Sequence, residues 1–313
     1  MGLILMVIGT LSSALAWNFS SLLAFRFLTG LGAAVIGPNS IATVVDIFTP
    51  ERRGKALGWL ISSIGLGTAF GVPIVALLSD FGGWRLPFYV LGTLLMILWL
   101  ILWVWFPRSQ TPLGCALNFI SHFKEVGSKE VFWYLLMSNC LMNTAFMGVA
   151  NYQAAYLMRV YHLNAGEIAL PMMLAGLGVI AGSLIGGRVA GQRYRLRFLS
   201  ISLFLGGLAA SLVFTTQISP WVTVGLSFGT VGLLLITSPV IVLLLTELAG
   251  QSRATATGMF SVSNQFGVMA GASIGGLMLS IGGFPFVGLF CSVAAVIAAI
   301  VIRRKVRGSS EFA

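Results

Sequence analysis

The sequence predicts an all-α polytopic membrane protein, and three observations carry that expectation. Of 313 residues, 58% are hydrophobic and only 8% are charged, against about 25% charged in a typical soluble domain. The 18 Lys and Arg with 8 Asp and Glu cannot cover a water-facing surface, and the mean hydropathy is +0.98. Apolar runs of about 20 residues, the length a bilayer demands, recur along the chain. Lys and Arg also gather in alternate loops, as they do in polytopic proteins. The 38 glycines follow no Gly-X-Y period, which excludes a collagen. Continuous apolar runs exclude the alternating strands of a β-barrel.

Taken in order, apolar runs and breakers give ten spans, near 2–17, 21–45, 56–79, 86–106, 131–157, 167–187, 198–216, 221–246, 255–280 and 284–302. The first run has no basic flank before it and no A-x-A site after it, so it reads as a span and not as a signal peptide. Residues 107–130 form the one long polar loop. The chain therefore divides into a partial N-terminal bundle of four helices (1–106), a central cytoplasmic loop (107–130), a six-helix C-terminal bundle (131–302) and a cytoplasmic tail (303–313). Fifteen basic residues fall on one side of this topology, and only Arg85 and Arg159 on the other. The basic side, including the C-terminus, is thereby expected in the cytoplasm, and the net charge of +10 reflects loops, not nucleic acid. Cys115, Cys140 and Cys291 lack metal-ligand spacing, and His122 and His162 lie far apart in loops, so neither metal nor cofactor is expected.

An internal repeat runs at a constant offset of 200. Arg53 matches Arg253, Gly58 matches Gly258, Gly67 matches Gly267, Gly71 matches Gly271, and Gly82-Gly83 match Gly282-Gly283. Duplicated bundles are a transporter feature, with the site between the repeats. By the same offset, spans 131–157 and 167–187 have no counterparts, so the repeat predicts a six-plus-six design of which the first half lacks two helices.

Four segments resemble motifs of the major facilitator superfamily, in particular its drug, sugar and metabolite efflux branch. Arg26-Phe-Leu-Thr-Gly30-Leu-Gly32-Ala33-Ala34 is similar to the family's RxxxGxGAA motif. Asp46 through Gly58 is similar to its fourth-to-fifth-helix loop. Gly67-Thr-Ala-Phe-Gly71-Val72-Pro73 is similar to its antiporter motif, and Gly186 through Arg193 to the second-half GGRxxDR-type loop. Gly191 stands where that loop often carries an acid, and Val75-Ala76 replace the glycines that often follow the proline. The resemblance implies a two-bundle transporter fold of about ten helices (4 + 6) and a coupling role for Arg26.

Individual residues are weighed against ordinary packing. Arg26 sits about five residues inside its span, and an arginine in lipid costs about 2.5 kcal/mol or more. It should face the bundle interior and pair, with snorkelling to the interface as the alternative. Asp46 with Arg52 and Arg53, and Glu247 with Arg253, sit at matching cytoplasmic helix ends. They read as charge latches, with Arg188 and Arg193 as candidate partners of Glu247, or as ordinary interfacial pairs. Gly67, Gly71 and the runs Gly178/Gly182/Gly186 and Gly267/Gly271/Gly275 are expected to pack helices closely. Pro73 is expected to bend its helix. Asn139, Asn143, Asn151 and Tyr152 on one span, and Asn264 and Gln265 on another, line a cavity or bond across helices.

The functional expectation is secondary active export of a small solute by proton antiport with alternating access. The protein is read as a monomeric, multi-pass component of the inner cell membrane, with solute, protons and the bilayer as its partners. A regulatory or inactive transporter fragment stays open. A membrane-embedded enzyme would need converging acids, histidines or cysteines, and an ATP-driven pump would need a GxxxxGK[ST] loop that occurs nowhere.

Overall fold

A computed structural model describes residues 2–105, 123–124, 126–164, 167–250 and 252–306. Most of the expected loop 107–130 and the end of the tail, with Arg108, Cys115 and His122, lie outside the described residues. The described chain runs through α1 (Gly2–Ala14), α2 (Phe19–Ile47), α3 (Pro50–Leu66), a π turn (Gly67–Gly71), α4 (Val72–Gly82) and α5 (Leu86–Trp105). It continues with α6 (Glu130–Val160), α7 (Ala169–Val189), α8 (Arg195–Thr215), α9 (Pro220–Leu235), α10 (Thr237–Leu248), α11 (Arg253–Val301) and a second π turn (Ile302–Val306). Among the described residues no strand occurs. Among the described residues six stretches are long and apolar enough to cross a membrane: Phe19–Ile47, Leu86–Val104, Ala169–Val189, Arg195–Thr215, Pro220–Leu248 and Arg253–Val306.

Local chemistry sets the breaks. The expected span 56–79 is a helix interrupted by a five-residue π turn, just where Pro73 withholds the N–H that an α-helix would send to residue 69. Pro220 occupies the first turn of α9, where its missing donor is harmless, and the Ser219 side chain accepts from the Trp221 N–H. The last two expected spans are joined in α11, which leaves helical geometry at Gly282 and Gly283. Gly283 has φ +73°, a conformation that a residue with a Cβ rarely adopts.

Two compact units emerge. The first comprises Met1–Ser40 and Val72–Phe119. Within it a Cβ on Gly32 would stand 2.6 Å from the Gly2 carbonyl and one on Gly9 2.6 Å from the Thr29 nitrogen, so α1 and α2 touch backbone to backbone. Arg85 donates to the Ala16 carbonyl at 2.9 Å.

The second unit comprises Ile41–Gly71 and Ile120–Ala313. Its core holds Phe132, Leu135, Met142, Tyr156 and Phe214, with Tyr156 edge-on to Phe214 and Phe284 at 5.5 and 5.1 Å. Glycines knit the helices here as the sequence suggests. Gly178, Gly182 and Gly186 of α7 press on Phe228, Gly232 and Ile236, while Gly267, Gly271 and Gly275 of α11 press on Cys140, Thr144 and Tyr152. Buried hydroxyls bond back to their own helix, as Ser183 does to Val179 at 2.7 Å and Thr144 to Cys140 at 2.9 Å. In hydrocarbon no water would satisfy them.

Candidate functional site

At the basic ends of the second unit's helices, two ion pairs form among the described residues. Asp46, near the end of α2, meets Arg253 at the start of α11, with Oδ1 3.5 Å from Nη1. Glu247, near the end of α10, meets Arg195 at the start of α8 in a fork, with Nη1–Oε1 at 2.9 Å and Nη2–Oε2 at 2.7 Å. The fork is the stronger, because two parallel charge-assisted bonds fix both groups and its arginine is only 22% exposed. Asp46 is 66% exposed, and a long pair in water contributes about 0–1 kcal/mol.

These partners correct the expected ones. Glu247 pairs with Arg195, and among the described residues neither Arg188 nor Arg193 makes an ion pair; both are exposed. The geometry explains the choice: Arg195 lies at the base of α8, next to α10, and its guanidinium also reaches the Ala190 carbonyl at 3.3 Å. Asp46 does not take Arg52 or Arg53 as its partner. Arg53 Nε donates instead to the Phe48 carbonyl at 3.1 Å, which ties down the α2–α3 turn. Arg253 thus serves the acid of the other repeat copy. The first-turn acid of α3, Glu51, is held below the usual carboxylate range by its own backbone N–H and the Thr49 hydroxyl.

Beside these pairs α3 and α7 meet at contact distance. A Cβ on Gly187 would stand 2.6 Å from the Gly54 carbonyl and 2.9 Å from the Gly58 Cα, and one on Gly58 2.8 Å from the Ser183 carbonyl. The π turn continues this seam, since a Cβ on Gly176 would lie 2.7 Å from Ala69. Gly67 and Gly71 themselves meet nothing within 4 Å. They do not pack a helix as expected, and they bound the π turn at its two ends.

The amides divide into two groups. Asn139 and Asn143 are buried in the α6–α11 contact, where Asn139 Nδ2 donates to Ser263 Oγ at 2.7 Å and Asn143 Nδ2 to the Asn139 carbonyl at 2.9 Å. Tyr152 donates to the Ala272 carbonyl across the same contact. Asn151 and Gln265 are exposed and Asn264 is half-buried, without such a bond among the described residues. Sequence reading gave little weight to Gln153 and none to Ser227 and Thr230. All three are fully buried, and among the described residues neither the Gln153 amide nor either hydroxyl has a hydrogen-bond partner. Their register is fixed by Tyr161 of the α6 cap, whose hydroxyl meets Thr223 Oγ1 of α9 at 3.0 Å. Gln153 lies eight residues back along α6 and Thr230 seven residues on along antiparallel α9, about 12 and 10 Å from that contact, with Ser227 a turn nearer to it. The signal was available in the spacing of Thr223, Ser227 and Thr230, which share one helix face.

In the first unit Arg26 finds an aromatic partner. Its Cζ lies 4.2 Å from the centroid of the Phe88 ring, and among the described residues no carboxylate pairs with it. A cation over a ring gains about 0.5–2 kcal/mol, depending on desolvation.

Comparison with known proteins places this arrangement. The Major Facilitator Superfamily matches residues 1–254. The uncharacterized MFS-type transporter YceJ of Bacillus subtilis is 28% identical over 88% of this chain and 71% of its own length. A probable sugar efflux transporter of Helicobacter pylori is 22% identical over 96% of this chain and 75% of its own. Among solved structures, the human organic anion transporter MFSD10 superposes with a TM-score of 0.77 at 14% identity, covering 96% of this chain and 75% of that one. The fucose:proton symporter FucP of E. coli does so at 0.74 and 13%, covering 99% and 83%. The chain belongs to the Major Facilitator Superfamily, as a multi-pass membrane protein that transports a solute and is not an enzyme.

Proposed function

We propose that the protein exports a small solute, of the sugar, drug or metabolite class, in exchange for protons by alternating access. The observation that carries export is the similarity to probable sugar efflux transporters over nearly the whole chain. Antiport is favoured by the Gly67–Gly71–Pro73 motif. In this reading Arg26 and the half-free amides Asn151, Asn264 and Gln265, joined by Gln153, serve solute and coupling. Asp46–Arg253 and Glu247–Arg195 act as latches, and the seam between α3 and α7 is the contact that parts when the basic end opens. Glycine seams suit such a step, since backbones in contact can slide without side chains to unlock.

The same proposal includes the topology: ten spans with the basic ends and the C-terminus in the cytoplasm, in the inner membrane, as a monomer. It keeps the division into a first bundle of four helices (1–106), a loop (107–130) and a six-helix second bundle (131–302).

The test is accumulation of labelled sugars and drugs in a bacterial strain stripped of its own exporters. Expression of the protein should lower accumulation of at least one solute, and a protonophore should abolish that effect. Accumulation unchanged by expression across both classes would overturn export; export indifferent to the protonophore would overturn proton coupling.

A further inference from the structure

We propose that the groove between the first turns of α8 and the last turns of α11 binds an anionic phospholipid, with the headgroup phosphate between Arg197 and Arg303. The groove encloses about 620 Å³ and is lined by Arg197, Ser200, Ile201 and Phe204 on one side and by Ile300 and Arg303 on the other. Periodicity builds it. Arg197, Ile201 and Phe204 recur at four and three residues on one face of α8, and Ile300, at the end of α11, stands three residues before Arg303 in the π turn that follows.

Both guanidiniums are exposed and uncommitted: among the described residues neither makes an ion pair or a hydrogen bond. Their neighbours are occupied, Arg195 by Glu247 and Lys305 by the Tyr134 ring at 5.7 Å. Two unpaired arginines at one end of a groove call for an anion, and guanidinium forks match phosphate oxygens. The remainder of the groove is apolar, and Ile201, Phe204 and Ile300 are each close to half exposed. At 1.5 Å per residue Phe204 lies roughly 10 Å further along α8 than Arg197. That distance separates a headgroup from the upper part of its acyl chain. The Ser200 hydroxyl donates to the Leu196 carbonyl at 3.0 Å, which leaves its lone pairs for a headgroup hydroxyl such as that of phosphatidylglycerol. A free phosphate would use the arginines and leave the apolar wall bare; a phospholipid uses both. Basic pockets between spanning helices are where acidic headgroups are held.

The experiment is native mass spectrometry and thermal melting of the purified full chain in detergent, titrated with phosphatidylglycerol, phosphatidylcholine or inorganic phosphate. Phosphatidylglycerol should stay bound and raise the melting temperature, and the other two should not. Arg197→Gln with Arg303→Gln should weaken retention roughly 30-fold, about fivefold for each charge removed. Arg304→Gln, which removes a neighbouring charge outside the groove, should change nothing. Ile300→Trp fills the groove without altering charge and should also expel the lipid, so the idea stays testable if the double variant fails to fold. Retention unaffected by the double variant, loss equal in Arg304→Gln, or a full shift with inorganic phosphate alone would each overturn the assignment.

Discussion

Arg26 shows how one residue can be legible in charge and hidden in partner. An arginine inside an apolar run has to be stabilised by something, and expectation turned to an acid or the interface. The structure supplies the face of Phe88, which stabilises the cation with less desolvation than a buried carboxylate would demand. Arg26→Ala should abolish transport and leave expression and insertion intact, and Arg26→Lys should keep part of the activity. Phe88→Leu should lower transport several-fold by losing the ring, as counterflow of a solute found by the accumulation assay would read. Wild-type rates in Arg26→Ala would remove its coupling role. Gln153 is the opposite case, a buried amide with no partner on either atom among the described residues. A stranded amide costs about 1–3 kcal/mol. Gln153→Leu, similar in volume, should therefore raise the melting temperature while impairing transport. A destabilised Gln153→Leu would mean that the amide is satisfied after all.

Among elements, the seam of α3 and α7 has little tolerance for change. Gly187 stands so close to Gly54 and Gly58 that a methyl group meets backbone, which cannot rotate away as a flexible side chain can. Gly187→Ala should destabilise the protein by about 1–3 kcal/mol, the usual cost of overpacking. It should also expose a cysteine at position 57, now fully buried, to maleimide. An unchanged melting temperature together with an unreactive Leu57→Cys would show that the seam has room. At Gly258, where nothing lies within 4 Å, the same change to alanine serves as the control.

Across the whole molecule, charge distribution argues orientation. Fifteen basic residues on one side and two on the other predict that cysteines at Lys55 and Arg195 stay protected from an impermeant maleimide applied outside. Cysteines at Arg85 and Arg159 should react. The reverse pattern would invert the topology and move both ion pairs to the outer face.

Composition and periodicity determined the class, the helical runs and the glycine faces, and the resemblance of four short motifs pointed to the family, because each depends on residues near in sequence or on a bilayer that admits few architectures. The 200-residue repeat placed acids and arginines at matching helix ends but could not pair them. Pairing depends on which helix ends lie adjacent, and folding gave Glu247 to Arg195 and Asp46 to Arg253. The same holds for the amides. Spacing put Asn139, Asn143 and Asn151 along one helix, yet only the packing of α11 decided that the first two act as glue while Gln153 is left without a partner. A helix's own sequence fixes which residues share a face; what that face meets is set by the neighbour's distance and rotation, which no local pattern encodes.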